Sequence, residues 1–443
     1  MTEEELAASR GRRMARQGGA DDAVIDLARG HPDDSLLPLA HLRDAAARRL
    51  AGDDASPLQY GAERGDDAFR QSLASFLTEM GAASTHAETS TPARAARSAG
   101  PSETSAPMEA PARPNTPEHG SVEAVGPERL LVTAGASQAL DLLCTLFSRP
   151  GDVVLVEEPT YHLARDVFAD HGLDVVGIAG DGGGIDPDAL RLALTEGFGE
   201  RRVAFVYLVP FFGNPTGATL DASRRRALLD VAASHDVMVV ADEVYRFLAF
   251  DGAPPASLVG EARAHARGPV VSLGSFSKIL APGLRLGWVE ADERVLERIE
   301  HSGLYQSGGG ANPFVAALVG ELLDERVLPA HVSRVRAELA LRAGALAAAL
   351  RRHLPGAEMA DAAGGYFVWL RVPCSDALSL LPAARARGVG YTPGSRFSTK
   401  NANQDRFRLS FAHYPPDRLE EAARRLAGVV AHAAALPYEG TRT

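Results

Sequence analysis

Between Val132 and Trp288 the chain alternates two kinds of segment. Short runs that are apolar at nearly every position, and rich in β-branched residues, are "LLVTA" (130–134), "VVLV" (153–156), "VAFVYLV" (203–209), "VMVVA" (237–241) and "VVSL", which ends just before Gly274. Between several of them the apolar positions recur at helical spacing, as in "SQALDLLCTLF" and "DASRRRALLDVAASH". A strand that is apolar on both faces has no solvated side, so the pattern predicts an α/β fold: a mostly parallel sheet with helices on both faces. Asp221 heads the second helical segment, where a short carboxylate caps free backbone N–H groups. Ligands of such sheets bind beyond the carboxyl ends of the strands, so the residues that follow each run are the ones to read.

Past residue 313 the pattern changes. "NPFVAALVGELLDERVLPAHVSRVRAELALRAGALAAALRRHL" reads as long amphipathic helix interrupted near Pro329. "GGYFVWLRV", a helix, a Gly-rich turn, "RFRLSF" and a last helix follow, which predicts a smaller α+β unit. The expected organisation is an N-terminal arm and part of the small domain over 1–44, a large domain over 45–310 and a small C-terminal domain over 311–443. Residues 83–121 fit neither domain. They hold six prolines and no Leu, Ile, Val, Phe, Tyr or Trp. Such a segment buries too little apolar area to offset its ordering entropy, and is expected to be a disordered surface insertion. A lid or docking segment is the alternative.

Composition narrows the function classes. The chain has 443 residues, 45% of them hydrophobic, enough for a real core. Lys plus Arg total 46 against 57 for Asp plus Glu, a net charge of −11. That balance argues against general binding to nucleic acid or an anionic membrane, though a few placed arginines suffice for a small anion. The two cysteines, Cys144 and Cys374, argue against a disulfide framework and fit a reducing compartment, hence a cytoplasmic location. The start, "MTEEELAASRGRRMARQGG", has no apolar core of a signal peptide, and no apolar run is long enough to span a bilayer. No metal site is expected.

The residues after the strands carry chemistry. Gly135, Ala136 and Ser137 follow "LLVTA" and open a helix, whose free N–H groups suit a phosphate; a simple turn is the plainer reading. Tyr161 follows "VVLVEEP" and could cover a flat ring, or be a core tyrosine. Asn214 stands before Pro215 in "PFFGNPTG", which biases it to extended backbone and aims its amide, though Asn, Pro and Gly also make an ordinary turn. Asp242 ends an apolar run, where a carboxylate is costly unless paired; a helix cap is its alternative, and Tyr245 lies three residues on. In "SLGSFSKILAPGLRLGW" Lys278 stands among Ser275, Ser277 and Arg285. Two hydroxyls and a guanidinium suit a phosphate, and burial beside cations lowers a lysine pKa enough to make it a Schiff-base nucleophile and then a general base. An aldehyde for Lys278, a phosphate, a ring nitrogen for Asp242 and a phenolic oxygen for Asn214 and Tyr245 together describe pyridoxal 5′-phosphate (PLP).

With these residues in place, the chain resembles fold-type I PLP enzymes of the class I/II aminotransferase family, in particular those of the aminoadipate/kynurenine aminotransferase type. The resemblance rests on "IDLARGHPDDSLLP", "LQYGAERGDDAFRQSL", "LLVTAGASQALDLL", "EEPTYHLA", "VPFFGNPTGATL", "ADEVYRFL", "SLGSFSKILAPGLRLGW", "GGYFVWL" and "FRLSF". It implies that Lys278 binds the cofactor covalently and Asp242 partners the pyridine nitrogen. It further implies that Asn214 and Tyr245 bond the phenolic oxygen, and that Tyr161 stacks on the ring. Ala136, Ser137, Ser275 and Arg285 would hold the phosphate. Tyr60 would reach the phosphate of a neighbouring subunit, in a homodimer with shared sites. Arg408 would pair with the substrate α-carboxylate, and Gly30 would line that pocket through its backbone. Arg29 departs from the pattern, standing where relatives often carry a small residue.

The function implied is ping-pong transfer of an amino group between an amino acid and a 2-oxo acid. A PLP lyase or decarboxylase would share nearly the same site. A PLP-sensing transcription regulator would need an N-terminal DNA-binding domain, for which the 24 residues before Ile25 leave no room.

Overall fold

The computed structural model of the protein describes residues 24–88, 124–265, 267–373 and 375–435. A seven-stranded sheet holds β1 (Leu130–Thr133), β2 (Val153–Glu157), β3 (Asp174–Ile178), β4 (Val203–Leu208), β5 (Met238–Asp242), β6 (Val270–Ser275) and β7 (Gly287–Glu290), in the order β1-β7-β6-β5-β4-β2-β3. β7 is antiparallel to both its neighbours, and every other pairing in this sheet is parallel. The expected α/β architecture is therefore present. All five residues of β5 and all six of β6 are buried, as strands covered on both faces must be. Asp221 caps the helix Ala222–Ser234, accepting from Arg224 N at 2.8 Å.

β3 and β7 are not among the apolar runs of the sequence. β3 is an edge strand whose first residue is exposed, and β7 has only four residues beginning with glycine, so neither shows a continuous apolar signature.

A three-stranded antiparallel sheet holds β8 (Phe367–Arg371), β9 (Thr392–Pro393) and β10 (Arg406–Ser410), in the order β8-β10-β9. Its middle strand places Arg408 opposite both Trp369 and Thr392. The start of the described chain joins this part of the molecule: Ile25–Asp26 pairs in parallel with Val389–Gly390, and Ser410 N donates to Leu27 O at 2.8 Å.

Two boundaries differ from expectation. The long helical stretch divides into Pro313–Asp324 and Val327–His353, and it turns at Arg326, whose φ of +56° is left-handed. Pro329 does not interrupt it: it sits in the first turn of the second helix, where a missing N–H costs nothing. The helix Asp67–Glu88 also runs past 83, into the stretch expected to be an insertion. The rest of that stretch, 89–121, lies outside the described residues.

Candidate active site

The parallel strands of the large sheet, and β1 with them, end on one edge, and the sequence resumes there with polar residues. Lys278 comes three residues after β6. Its Nζ donates to Gly30 O at 2.7 Å and lies 5.4 and 5.7 Å from the ring centroids of Tyr366 and Tyr245. Tyr366 Oη donates to the Lys278 carbonyl at 2.9 Å, fixing the backbone beneath the side chain. Burial lowers the Lys278 pKa from 10.5 to about 8, with Asp242 pulling it back up and Arg408 and Arg285 adding to the fall. A much larger share of this amine is therefore uncharged near neutral pH than of an ordinary lysine.

Asp242 closes β5 and is 8% exposed. Its Oδ2 accepts from Tyr207 Oη at 3.0 Å, whereas its Oδ1 is buried with no hydrogen-bond partner. Burial pushes its pKa up to about 6, against the hydrogen bond from Tyr207, the nearby Val244 N–H, which is not within bonding geometry of Oδ1, and the charge of Lys278. An unpartnered buried carboxylate oxygen is costly, so the pocket lacks one donor that a ligand could bring. Asp242 is not a helix cap: the short helical turn that follows, Arg246–Leu248, has Tyr245 at its cap position.

Glu157 ends β2 and accepts from Val209 N at 2.9 Å. Burial, joined by the Asp242 charge, pushes it up to about 8.

The phosphate-type residues gather at one helix start. Gly135 has φ +90° and precedes the helix Ala136–Phe147, whose first turn carries no side-chain cap. A Cβ on Gly135 would lie 3.3 Å from Arg285 Nη2, so glycine is needed both for the turn and for the approach of the guanidinium. Ser137 is exposed in the first turn, and the buried Ser275 Oγ accepts from Ser277 N at 3.1 Å.

Arg408 projects from β10 across to the large sheet. Its Nη1 donates to Asn214 Oδ1 at 3.2 Å, and its Nη2 to Ala28 O at 2.6 Å and Thr392 Oγ1 at 3.0 Å. Its Nε is buried without a partner, and its guanidinium carbon lies 4.3 Å from the Phe367 ring centroid. Burial lowers its pKa to about 10, opposed by Tyr245, Tyr161 and Asp26. With Asn214 Oδ1 taken by Arg408, the Asn214 amide NH₂ remains as a donor.

Tyr161 precedes the helix His162–Asp170, and burial pushes its phenol up to about 12, with Asp242 adding to the rise and Arg408 and Arg285 opposing it. Tyr245 is buried, and its phenol is likewise held far above the usual range by burial. Tyr60 is 86% exposed, beside Gly308.

The fold thus brings Lys278, Asp242, Asn214, Tyr161, Tyr245, Arg408 and Gly30 together, with Gly135 and Arg285 meeting at the helix start. Sequence reasoning missed Glu157, Tyr207, Tyr366, Thr392 and Ala28. Glu157 gave the same signal as Asp242, an acid closing an apolar run. The others gave none. An amine on a half-buried lysine, a carboxylate oxygen awaiting a donor and an uncapped helix start fit the aldehyde, ring nitrogen and phosphate of PLP.

Comparison with known proteins agrees with this chemistry. Residues 118–426 match the family model of aminotransferase class I and II. An aromatic-amino-acid aminotransferase from Thermococcus litoralis is 29% identical over 411 residues, 92% of this chain and 88% of its own. A 2-aminoadipate transaminase from Thermus thermophilus is 35% identical over 308 residues, 68% of this chain and 75% of its own. The crystal structure of an α-aminoadipate aminotransferase from Thermus thermophilus, complexed with N-(5′-phosphopyridoxyl)-L-leucine, superposes with a TM-score of 0.77 at 28% identity, covering 97% of this chain and 99% of that one.

Proposed function

We propose how the work of catalysis is divided among the residues of this chain, which belongs to the class I and II aminotransferases and is a PLP-dependent enzyme that moves an amino group between an amino acid and a 2-oxo acid. The relatives support transamination over the lyase and regulator readings. The observation that carries the residue roles is the presence, beyond the ends of adjacent strands, of a half-buried amine with a lowered pKa and an unsatisfied carboxylate oxygen, Lys278 Nζ and Asp242 Oδ1.

When bound, PLP supplies an aldehyde that links to amines and a protonated ring that draws electrons from the substrate Cα. Asp242 Oδ1 would accept the ring N–H, and Tyr207 keeps the other oxygen occupied so that the carboxylate cannot rotate freely. The Asn214 amide and the Tyr245 hydroxyl serve the phenolic oxygen. Tyr161 would cover one ring face. Gly135, Ala136, Ser137, Ser275, Ser277 and Arg285 hold the phosphate by backbone N–H groups, hydroxyls and a guanidinium.

Lys278 would hold the cofactor through its amine and would be free while substrate is bound. The freed amine then takes the proton from the substrate Cα, a task its low pKa suits. Arg408 receives the α-carboxylate with its guanidinium, which Ala28 O, Thr392 and Asn214 hold in place. Gly30 lines that pocket with its backbone.

The small-domain role of the N-terminal segment is supported by the pairing of Ile25–Asp26 with Val389–Gly390. A homodimer with Tyr60 reaching the partner's phosphate is supported by the exposure of Tyr60, Leu58 and Leu304 at 86%, 69% and 56%. A cytoplasmic location is supported by Cys144, a free, buried thiol pushed up to about 12 by burial. No helix among the described residues is long and apolar enough to cross a membrane. A screen of amino donors with 2-oxoglutarate and pyruvate as acceptors, read by mass spectrometry, tests the function. A new amino acid paired with a 2-oxo acid is expected; release of ammonia or CO₂ without a new amino acid would refute transamination.

A further inference from the structure

The loop that carries Gly30 is sewn to the chain just beyond Arg408. Asp26 N donates to Tyr414 Oη at 3.0 Å, and Leu27 O accepts from Ser410 N at 2.8 Å. Arg342 joins the far end, pairing with Asp33 and donating to Ala412 O at 2.9 Å. His413 sits in the middle of this seam. Its Nε2 lies 2.8 Å from Arg29 Nη1, and its ring meets the His31 ring edge-on with centroids 4.7 Å apart. One imidazole therefore touches the residues on both sides of Gly30. Arginine only donates, so Nε2 is the acceptor and the ring is neutral in this contact.

Gly30 has no side chain with which to set its own orientation, yet its carbonyl takes the Lys278 Nζ at 2.7 Å. We propose that His413 and Arg29 form a positioning pair for transamination, holding the Gly30 carbonyl where it receives the N–H of the lysine each time Lys278 is free. The inference rests on the proposed role of Lys278. The groups facing His413 are Arg29, His31 and Asp33, with the Pro32 carbonyl and the Tyr414 ring. Burial first, then the charges of His31 and Arg29, hold its pKa below the ordinary 6.5, while Pro32 O and Asp33 pull it up. The pair is thus intact above pH 6.5 and is lost as pH falls through the lowered value.

The test uses full-length, cofactor-free chain and competitive labelling of Lys278 with acetic anhydride across pH. A carbonyl that accepts from the ammonium stabilises it, so losing the acceptor lowers the lysine pKa further. His413→Phe keeps a ring but not the acceptor, and the Lys278 pKa is expected to fall by about half a pH unit or more. His413→Gln, which still accepts from Arg29, should restore most of it. Arg29→Ala should act like His413→Phe; loss of a nearby cation alone would move the pKa up, so the sign separates the two effects. In the holoenzyme kcat should drop roughly three- to tenfold with little change in KM. Unchanged labelling and kcat in His413→Phe, or equal losses in His413→Gln, overturn the proposal. Should His413→Phe fail to fold, Arg29→Ala is judged by the same criteria. Turnover retained by Lys278→Ala would instead remove the reading on which the pair depends.

Discussion

Asp242 and Glu243 are neighbours in sequence, both carboxylates, 8% and 5% exposed, and they differ in how far their hydrogen bonds are met. Glu243 Oε1 accepts from Leu258 N at 2.7 Å and Ser272 Oγ at 2.8 Å, and Oε2 lies 3.3 Å from Arg246 Nε. Behind it Glu290 pairs with Arg263 at 3.2 Å. Burial pushes Glu243 up to about 7, with Arg246 opposing that rise. Asp242 has one oxygen on Tyr207 and one with nothing. Alternation along the chain turns adjacent residues to different sides of the sheet edge. Glu243 is completed within the fold; Asp242 is left for a ligand to complete. Burial alone does not mark a functional carboxylate, whereas an unmet hydrogen-bond demand beside a low-pKa amine does.

The comparison can be broken by substitution. The largest effect is expected from Lys278→Ala: turnover should fall at least about 10⁴-fold, and borohydride should fix cofactor to the native chain at Lys278. A reduced label on another lysine would refute the site.

Asp242→Asn should lose about 10²- to 10³-fold in kcat while still binding PLP, because the phosphate contacts stay. Glu243→Gln should do the opposite, lowering stability by about 1–3 kcal/mol by disturbing the bonds to Leu258 N, Ser272 and Arg246, and leaving kcat within a few-fold. Melting curves and initial rates on both variants decide it; if Glu243→Gln costs as much rate as Asp242→Asn, the two carboxylates do not divide as described.

Arg408→Lys should raise KM for amino acid roughly ten- to a hundredfold with a smaller change in kcat, since a point charge replaces the planar fork. A rise in KM that fails to appear, with the loss confined to kcat, would place Arg408 in the chemistry rather than in carboxylate binding.

The smallest effect concerns stability. The folded pKa of Lys278 is about 8, below its ordinary 10.5, so folding favours the neutral amine. Its contribution is at its best above 10.5 and is lost as pH falls through about 8. Cofactor-free Lys278→Met should therefore melt a few degrees higher than the cofactor-free native chain at about pH 7. The gap should shrink as pH rises from about 8 to 10.5; a gap independent of pH would mean that the amine titrates normally.

Much of the site was legible because it is local. Lys278, Asp242, Asn214 and Gly135 each follow an apolar run, and such a run announces both a buried strand and the edge where it ends. Arg285 and Ser275 came with Lys278 in one continuous stretch. The edge strand β3 and the short strand β7 were not legible, since one has an exposed start and the other begins at a glycine. Nor was the helix break: proline is a strong breaker in the interior, but Pro329 falls in a first turn, and Arg326 turned the chain instead.

The sequence by itself determined the α/β class and singled out Lys278, together with Asp242, the acid that closes the neighbouring apolar run. Tertiary structure alone decided what those groups touch. Lys278 meets Gly30 O, Arg408 meets Ala28 O, Tyr366 meets the Lys278 carbonyl, and Val209 N meets Glu157. In each contact one partner is a backbone group. Nearly every residue carries the same N–H and C=O, so no residue type signals which one will be used. That choice is made by strand register and by the packing of segments far apart in the chain, and it exists only once the chain has folded.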